Sequence, residues 1–298
     1  MKFLLRLLVI SSLLLLPSTT MQAASRPLFV TIVPLKQLVE QIGGPERSVR
    51  VLVAEGQDPH HFQPSPRQIT ELSEAGLLFT VGINFEEKLK SKIKGLNIPL
   101  NFVDMGHGVQ KTAMENGLHH HHGKGDESTH DPHIWLSPLN LKIMAKNVAR
   151  ALIKASPSAK SSIERNLLKT LEQLDRLHQK TSRQLAPFQG RTFYVFHPSF
   201  GYFARDFHLR QKAVEMEGKS PSARQLAHLI NSARKDGART IFTQPQFDPK
   251  SGEAIARAIG GQVVPLNPLA EDVMANIAGI AEKIELSFST STRTTEQP

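Results

Sequence analysis

Hydrophobic and polar positions alternate along the chain in a way that predicts short buried strands separated by amphipathic helices. "LFVTIV", beginning at Leu28, is an apolar run of strand length, and "LKQLVEQIGG" after it has apolar residues at helical spacing. The same order repeats through "SVRVLVAEG", "PRQITELSEAG", "LLFTVGI", "NFEEKLKSKI" and "PLNFVDM". Ser65 and Pro66 are the expected cap and first residue of the second helix. This alternation is typical of a parallel α/β sheet.

The alternation resumes beyond Gly190 and predicts a second lobe of similar design. Strands are expected in "TFYVF", "KAVEMEG", "RTIFTQPQ" and "QVVPLNP". Helices are expected in "SPSARQLAHLINSARKDG", with Ser220 as cap and Pro221 as first residue, and in "KSGEAIARAIGG" and "LAEDVMANIAGIAEKIELSF". The Ser/Thr-rich tail from Ser287 is expected to fray.

One long helix is predicted between the two lobes, from Ser158 to about Leu185, because no Gly or Pro interrupts a single apolar stripe. At this length it would be a rod of about 42 Å, long enough to contact both lobes. The sequence therefore predicts α/β lobes with parallel, roughly four-stranded sheets and flanking helices, joined by a long rigid helix. The expected divisions are a signal peptide (1–24), an N-terminal lobe (25–157) with a His-rich loop at about 106–130, the linking helix (158–186) and a C-terminal lobe (187–298).

The first residues predict export. Lys2 and Arg6 precede an apolar run from Leu7 to Leu16, and small residues near Ala24 offer a cleavage site. The apolar run is too short to span a membrane. The chain has no cysteine, so we expect neither disulfides nor a lipid anchor on an N-terminal cysteine, and thiolate metal ligands are excluded. The expected product is a monomer, free in a periplasm-like space.

The net charge of +9 does not indicate a nucleic-acid-binding protein. Aromatic residues make up only 6% of the chain, and no basic run is interleaved with them. Export also argues against nucleic acid, so we interpret the excess of basic residues as a solvated surface.

Polar residues with metal-binding chemistry follow several predicted strands. His60 follows the second strand, His197 follows "TFYVF", and Asn267 follows "QVVPL". His133 lies in "DPHIWLSP", before the next helix. Ligands of open parallel sheets bind beyond the carboxyl ends of the strands, so these loops are where a site is expected. Three neutral imidazoles suit zinc and leave a fourth position to fill.

The tripeptide "DPH" occurs twice, at Asp58 and Asp131. Each aspartate could cap its loop or accept a hydrogen bond from the imidazole two residues on, although Asp-Pro turn chemistry alone also explains the pattern. The run His119–His122 is either a weak metal-collecting loop or a spacer.

Four segments resemble the ZnuA-like zinc- and manganese-binding subunits of ABC importers. "GQDPHHFQPSPRQI", "DPHIWLSP", "FHPSFGYFA" and "PLNPLAED" stand in the order that this family uses, and the resemblance covers essentially the whole mature chain. It implies two α/β lobes joined by a rigid helix, with the metal at their interface. The ligand positions of the family correspond to His60, His133 and His197, and the His-rich loop resembles the zinc branch.

The chain departs from the family at the fourth ligand. Asn267 in "NPL" stands where the family usually has an aspartate, so either its neutral amide oxygen or a water is expected to complete the site. Gln244 likewise stands where an acidic residue is expected. A third imidazole at His197 favours Zn²⁺, with Mn²⁺ as the lesser possibility.

The function implied by the resemblance is capture of Zn²⁺ and its delivery to an ABC permease in the inner membrane, without enzymatic activity. Two other functions remain open: an extracellular adhesin or metal buffer on the same fold, and a zinc hydrolase. A hydrolase needs a carboxylate beside the metal-bound water, for which Glu55 and Glu217 are the candidates near strand ends. Metal binding is expected to weaken as pH falls through the imidazole range near ~6.5.

Overall fold

The computed structural model describes residues 26–114, 130–215, 222–248 and 250–293. The predicted signal peptide, the run His119–His122, and Ser220 with Pro221 lie outside the described residues. No helix within these described ranges has the length and apolar character needed to cross a bilayer.

The N-terminal lobe is built on a parallel four-stranded sheet in the order β2-β1-β3-β4. In register, Leu28 of the first strand pairs with Val49 and Leu77 of its two neighbours. The strands are β1 (Leu28–Ile32), β2 (Val49–Val53), β3 (Leu77–Thr80) and β4 (Asn101–Asp104), and the helices are α1 (Val33–Gly43), α2 (Pro66–Ser73), α3 (Asn84–Gly95) and α4 (Pro138–Ala155). Strands β1 and β3 are buried along their whole length, which explains their continuous apolar sequences.

The C-terminal lobe repeats this design, with a parallel sheet in the order β6-β5-β7-β8. Its strands are β5 (Thr192–Val195), β6 (Arg210–Ala213), β7 (Thr240–Thr243) and β8 (Gln262–Pro265). Between the lobes runs α5 (Lys160–Leu185), and the later helices are α6 (Gly201–Asp206), α7 (Ala223–Lys235), α8 (Lys250–Ala258) and α9 (Val273–Arg293). The two-lobed α/β prediction is therefore confirmed.

The long helix α5 has 26 residues, or about 39 Å. Its stripe packs into the core through Ile163, Leu174 and Leu185. The helix contacts α1 and α4 of the first lobe and α9 of the second. A single hydrophobic cluster includes residues from both lobes, so α5 is part of one continuous core.

The expected start of α2 is confirmed: Ser65 and Gln68 form a capping box, and Pro66 is the first helical residue. The start expected for α7 was wrong. This helix begins at Ala223, because Ser222 accepts from the backbone N–H of Gln225 and the Gln225 side chain bonds back. The helix is therefore capped by Ser222, and not by Ser220 as predicted.

Two other expectations were corrected. The fraying predicted from Ser287 does not occur at that residue, since α9 continues to Arg293. Phe288 is buried, and the Arg191 guanidinium lies 4.5 Å from its ring centre, so tertiary packing extends the helix. The loop after β5 contains the short helix α6, which the sequence pattern did not indicate.

The first part of the predicted His-rich loop is held against the N-terminal lobe. Asn147 donates to the carbonyl oxygens of Met105 and His107, at 2.9 and 2.8 Å. Ala113 and His130 form an antiparallel bridge. Residues 115–129 lie outside the described part of the chain.

Candidate metal site between the two lobes

His60 lies in the loop after β2, on a single 3-10 turn over Pro59–His61. Asp58 caps this turn, since its Oδ1 accepts from the backbone N–H of His60 at 2.9 Å. Its other oxygen lies 2.6 Å from Nδ1 of the exposed His61. Asp58 thus shapes the turn that presents His60, but the imidazole ring that Asp58 contacts is that of His61.

His133 is held more tightly, because its backbone nitrogen and its ring Nδ1 both contact one carboxylate. Asp131 Oδ1 lies 2.9 Å from the backbone nitrogen of His133 and 2.7 Å from Nδ1 of its ring. Both side chains are buried. A Cβ on Gly201 would lie 2.8 Å from Asp131 Oδ2, so the close approach of α6 to this carboxylate requires glycine.

His197 follows β5 directly and is also held by buried side chains. Its Nδ1 lies 2.8 Å from Glu215 Oε2. The amide of Gln244, at the end of the adjacent β7, accepts from the backbone N–H of His197 and donates to its carbonyl, at 2.9 and 3.1 Å. A carboxylate on Nδ1 fixes the tautomer that leaves Nε2 free to bind a metal.

The three imidazoles converge between the lobes. Each of His60, His133 and His197 offers a nitrogen, and these atoms all lie within 4.8 Å of one another. The Nε2 atom of His197 is buried and has no hydrogen-bond partner. A cavity of about 20 Å³ adjoins the rings, and its lining includes Trp135, Ser199, Gln246 and Phe247. A buried lone pair without a hydrogen-bond partner, beside a small cavity, is suited to bind a cation.

Asn267, the fourth residue expected from the sequence, is placed differently. It is not among the described residues that line the cavity. Its Oδ1 already accepts from the Gln246 side chain and from the backbone N–H of Leu269, both at 3.0 Å. Its role as a ligand stays a prediction.

Burial favours the neutral form of two of the imidazoles. Burial, followed by the neighbouring rings of His133 and His197, lowers the pKa of His60 to about 3. Burial also lowers the pKa of His133, against the opposing effect of Asp131. Neutral imidazole is the form that binds a metal, so His60 and His133 can bind a cation without first releasing protons.

The cluster connects to solvent on the side of His60. This residue also lines an open groove of about 440 Å³, together with His61, Phe62 and Asn84. His133 and His197 are buried, whereas His60 is half-buried. The groove is therefore the natural route for an ion.

Two residues of the site were missed from the sequence. Glu215 follows β6, which is the neighbour of the strand β5 that precedes His197, and Gln246 follows β7. Both satisfy the rule that site residues follow the carboxyl ends of strands, which was the available signal. This signal did not single out Glu215, because the nearby Glu217 satisfied the same rule. Glu217 lies outside the described residues.

We expect Glu215→Ala to weaken zinc binding by about 10–100-fold, because the His197 ring loses the partner that fixes its tautomer and orientation. Competition against a chromophoric chelator measures the loss. Glu55→Ala, at an exposed glutamate beyond the end of β2, is the matched control and should leave the affinity unchanged. Equal affinities for the two variants would contradict this role for Glu215.

Comparisons with known proteins agree with this fold. The sequence model of the family described as "Zinc-uptake complex component A periplasmic" (ZnuA) matches residues 28–279. The chain is similar to a putative metal-binding protein of Chlamydia muridarum, with 30% identity over 86% of this chain and 89% of the relative. It is also similar to a crystal structure of ZnuA, with 39% identity, a TM-score of 0.82, and coverage of 88% of this chain and 99% of that one. A zinc-bound ZnuA deletion mutant superposes with a TM-score of 0.80 at 38% identity, covering 88% of this chain and 98% of that chain.

Proposed function

Because the chain belongs to the ZnuA family, we propose that it captures Zn²⁺ at His60, His133 and His197 and delivers it to the permease of an ABC importer. The observation that carries the proposal is the convergence of three imidazole nitrogens within 4.8 Å of one another. A site with three imidazole nitrogen ligands favours zinc over manganese, which prefers oxygen ligands. The family description and the leader-like first residues support a periplasmic location.

Contacts between the lobes favour a delivery mechanism that moves the His60 loop more than the lobes themselves. Trp135 Nε1 donates to the carbonyl of Pro268 at 2.8 Å, and Lys36 pairs with Glu271 at 3.0 Å. These bonds and the shared core resist a wide hinge opening. The half-buried His60, on its short turn beside the groove, is the ligand best placed to move away first.

The hydrolase alternative finds less support. Asp58 is the one acidic residue among the described residues that line the cavity. Its two oxygens are already hydrogen-bonded, one to the His60 backbone and the other to the His61 ring. Asp131 and Glu215 are hydrogen-bonded to imidazoles. A general base needs a carboxylate that can take a proton from the metal-bound water.

Two measurements test the proposal. The mature chain, purified without a tag and without added metal, is expected to carry one zinc per chain by native mass spectrometry and elemental analysis. Membrane vesicles containing the importer that this chain serves should take up radioactive zinc only when the loaded chain is added. A loaded chain that binds zinc but supports no uptake in these vesicles would rule out delivery and leave a metal buffer.

A further inference from the structure

The three imidazoles of the proposed metal site leave a fourth coordination position to be filled. Resting on the zinc binding proposed above, we infer that the amide oxygen of Gln246, and not Asn267, is the fourth ligand. The site would then hold the cation with three imidazole nitrogens and one neutral oxygen.

The hydrogen bonds around Asn267 fix which atom of Gln246 is free. The backbone N–H of Leu269 can only donate, so the atom that accepts it, 3.0 Å away, is the Asn267 oxygen. The Gln246 atom 3.0 Å from that same oxygen must then be its NH₂ nitrogen. The remaining polar atom of Gln246, Oε1, is buried and has no hydrogen-bond partner.

The Asn267 oxygen, by contrast, has little capacity left. A carbonyl oxygen has two lone pairs, and the bonds from Leu269 and Gln246 use both. Asn267 therefore acts as a positioning residue, which turns the glutamine oxygen away from itself. Gln246 lines the cavity with the three imidazoles, and its own oxygen is the atom that needs a partner.

The wall of the cavity offers more than one oxygen that could serve as fourth donor. Ser199 Oγ is also buried without a partner there, but a neutral hydroxyl is a weaker donor than an amide carbonyl.

A neutral fourth ligand changes how the site holds its ion. Without a carboxylate on the metal, the cation keeps its full charge in the site, so the electrostatic contribution to affinity is smaller. The nitrogen-rich ligand set still prefers zinc over manganese. The expected result is selective binding with easier release.

Paired variants test the assignment. Gln246→Leu, which keeps the approximate volume and removes the oxygen, should lower the zinc association constant by about 10-fold or more, as loss of a supporting ligand does. Gln262→Leu, at an exposed glutamine that begins β8, is the matched control and should leave the constant unchanged. Thermal melting of the metal-free variants checks that both are folded. The same loss in Ser199→Ala as in Gln246→Leu would indicate a water held by both side chains and would overturn the proposal, as would no loss in Gln246→Leu.

A crystal structure of the zinc-loaded wild-type chain provides a second test that does not depend on any variant folding. Gln246 Oε1 is expected at about 2.0–2.2 Å from the zinc. Asn267 Oδ1 or a water at that distance would overturn the assignment. If the wild-type chain binds no zinc in solution, the proposed function itself fails; if it binds zinc through another fourth ligand, only this inference fails.

Discussion

A chain carrying His133→Ala loses tight zinc binding, with a fall in affinity of more than about 100-fold. His133 is buried, and Asp131 holds its Nδ1 at 2.7 Å, so the ring presents Nε2 in a fixed direction. Loss of a residue that only supports a ligand typically costs about 10–100-fold, and loss of the ligand itself should exceed that range. Competition titration with a chromophoric chelator at pH 7.5 measures the change.

The control for this experiment is His61→Ala. His61 is the neighbour of His60 in sequence, but its ring is exposed and is not part of the three-histidine cluster. Its removal should leave zinc affinity within a few-fold of wild type, whereas His60→Ala should behave like His133→Ala. Tight one-to-one binding in both His60→Ala and His133→Ala would place the metal elsewhere.

Zinc binding should resist acid far better than three ordinary imidazoles would. An imidazole with a pKa near 6.5 loses about 10-fold of its neutral form between pH 7.5 and 5.5, so three such ligands would cost about 10³-fold. In the folded chain the pKa of His60 is lowered to about 3, and that of His133 is lowered too. His60 stays neutral over this range and the lowered pKa of His133 acts in the same direction, so the loss should be smaller by about 10-fold or more.

Lowered imidazole pKa values protect zinc binding from acid, but they make the folded state itself more sensitive to acid. In the unfolded chain these imidazoles regain a pKa near ~6.5 and bind protons that the folded chain does not. The stability that they contribute is present above pH ~6.5 and is lost as pH falls toward the folded-state pKa values. Acid should therefore release zinc from wild type together with unfolding, which circular dichroism can detect.

Zinc affinities at pH 7.5, 6.5 and 5.5, corrected for protonation of the chelator, test this prediction. His61→Ala again serves as the control, because its ring does not belong to the cluster. A zinc affinity that falls by about 10³-fold from pH 7.5 to 5.5, as expected for three imidazoles with a pKa near 6.5, would contradict the prediction. It would mean that the rings are solvated in the metal-free protein, as the sequence-based expectation of weakening near pH ~6.5 assumed.

Most helices and strands of this protein could be predicted from local patterns in its sequence. Continuous apolar runs such as β1 and β3 identify strands buried on both faces, and Ser65 with Gln68 marks a helix start, because these signals act between residues close in the chain. The position of the histidines was equally readable, since loops after parallel strands form the binding edge of a sheet. Errors arose where a distant contact intervened: α9 continues past Ser287 because Phe288 packs under Arg191.

The surroundings of the three imidazoles depend on contacts between residues far apart in the sequence. His197 is paired with Glu215, and Gln246 is turned by Asn267, because the order β6-β5-β7-β8 brings the ends of neighbouring strands together. Strand order depends on packing of the whole core, which no local pattern encodes. The sequence therefore indicated which side chains had metal-binding chemistry, and the fold determined which atoms of them face the same small cavity.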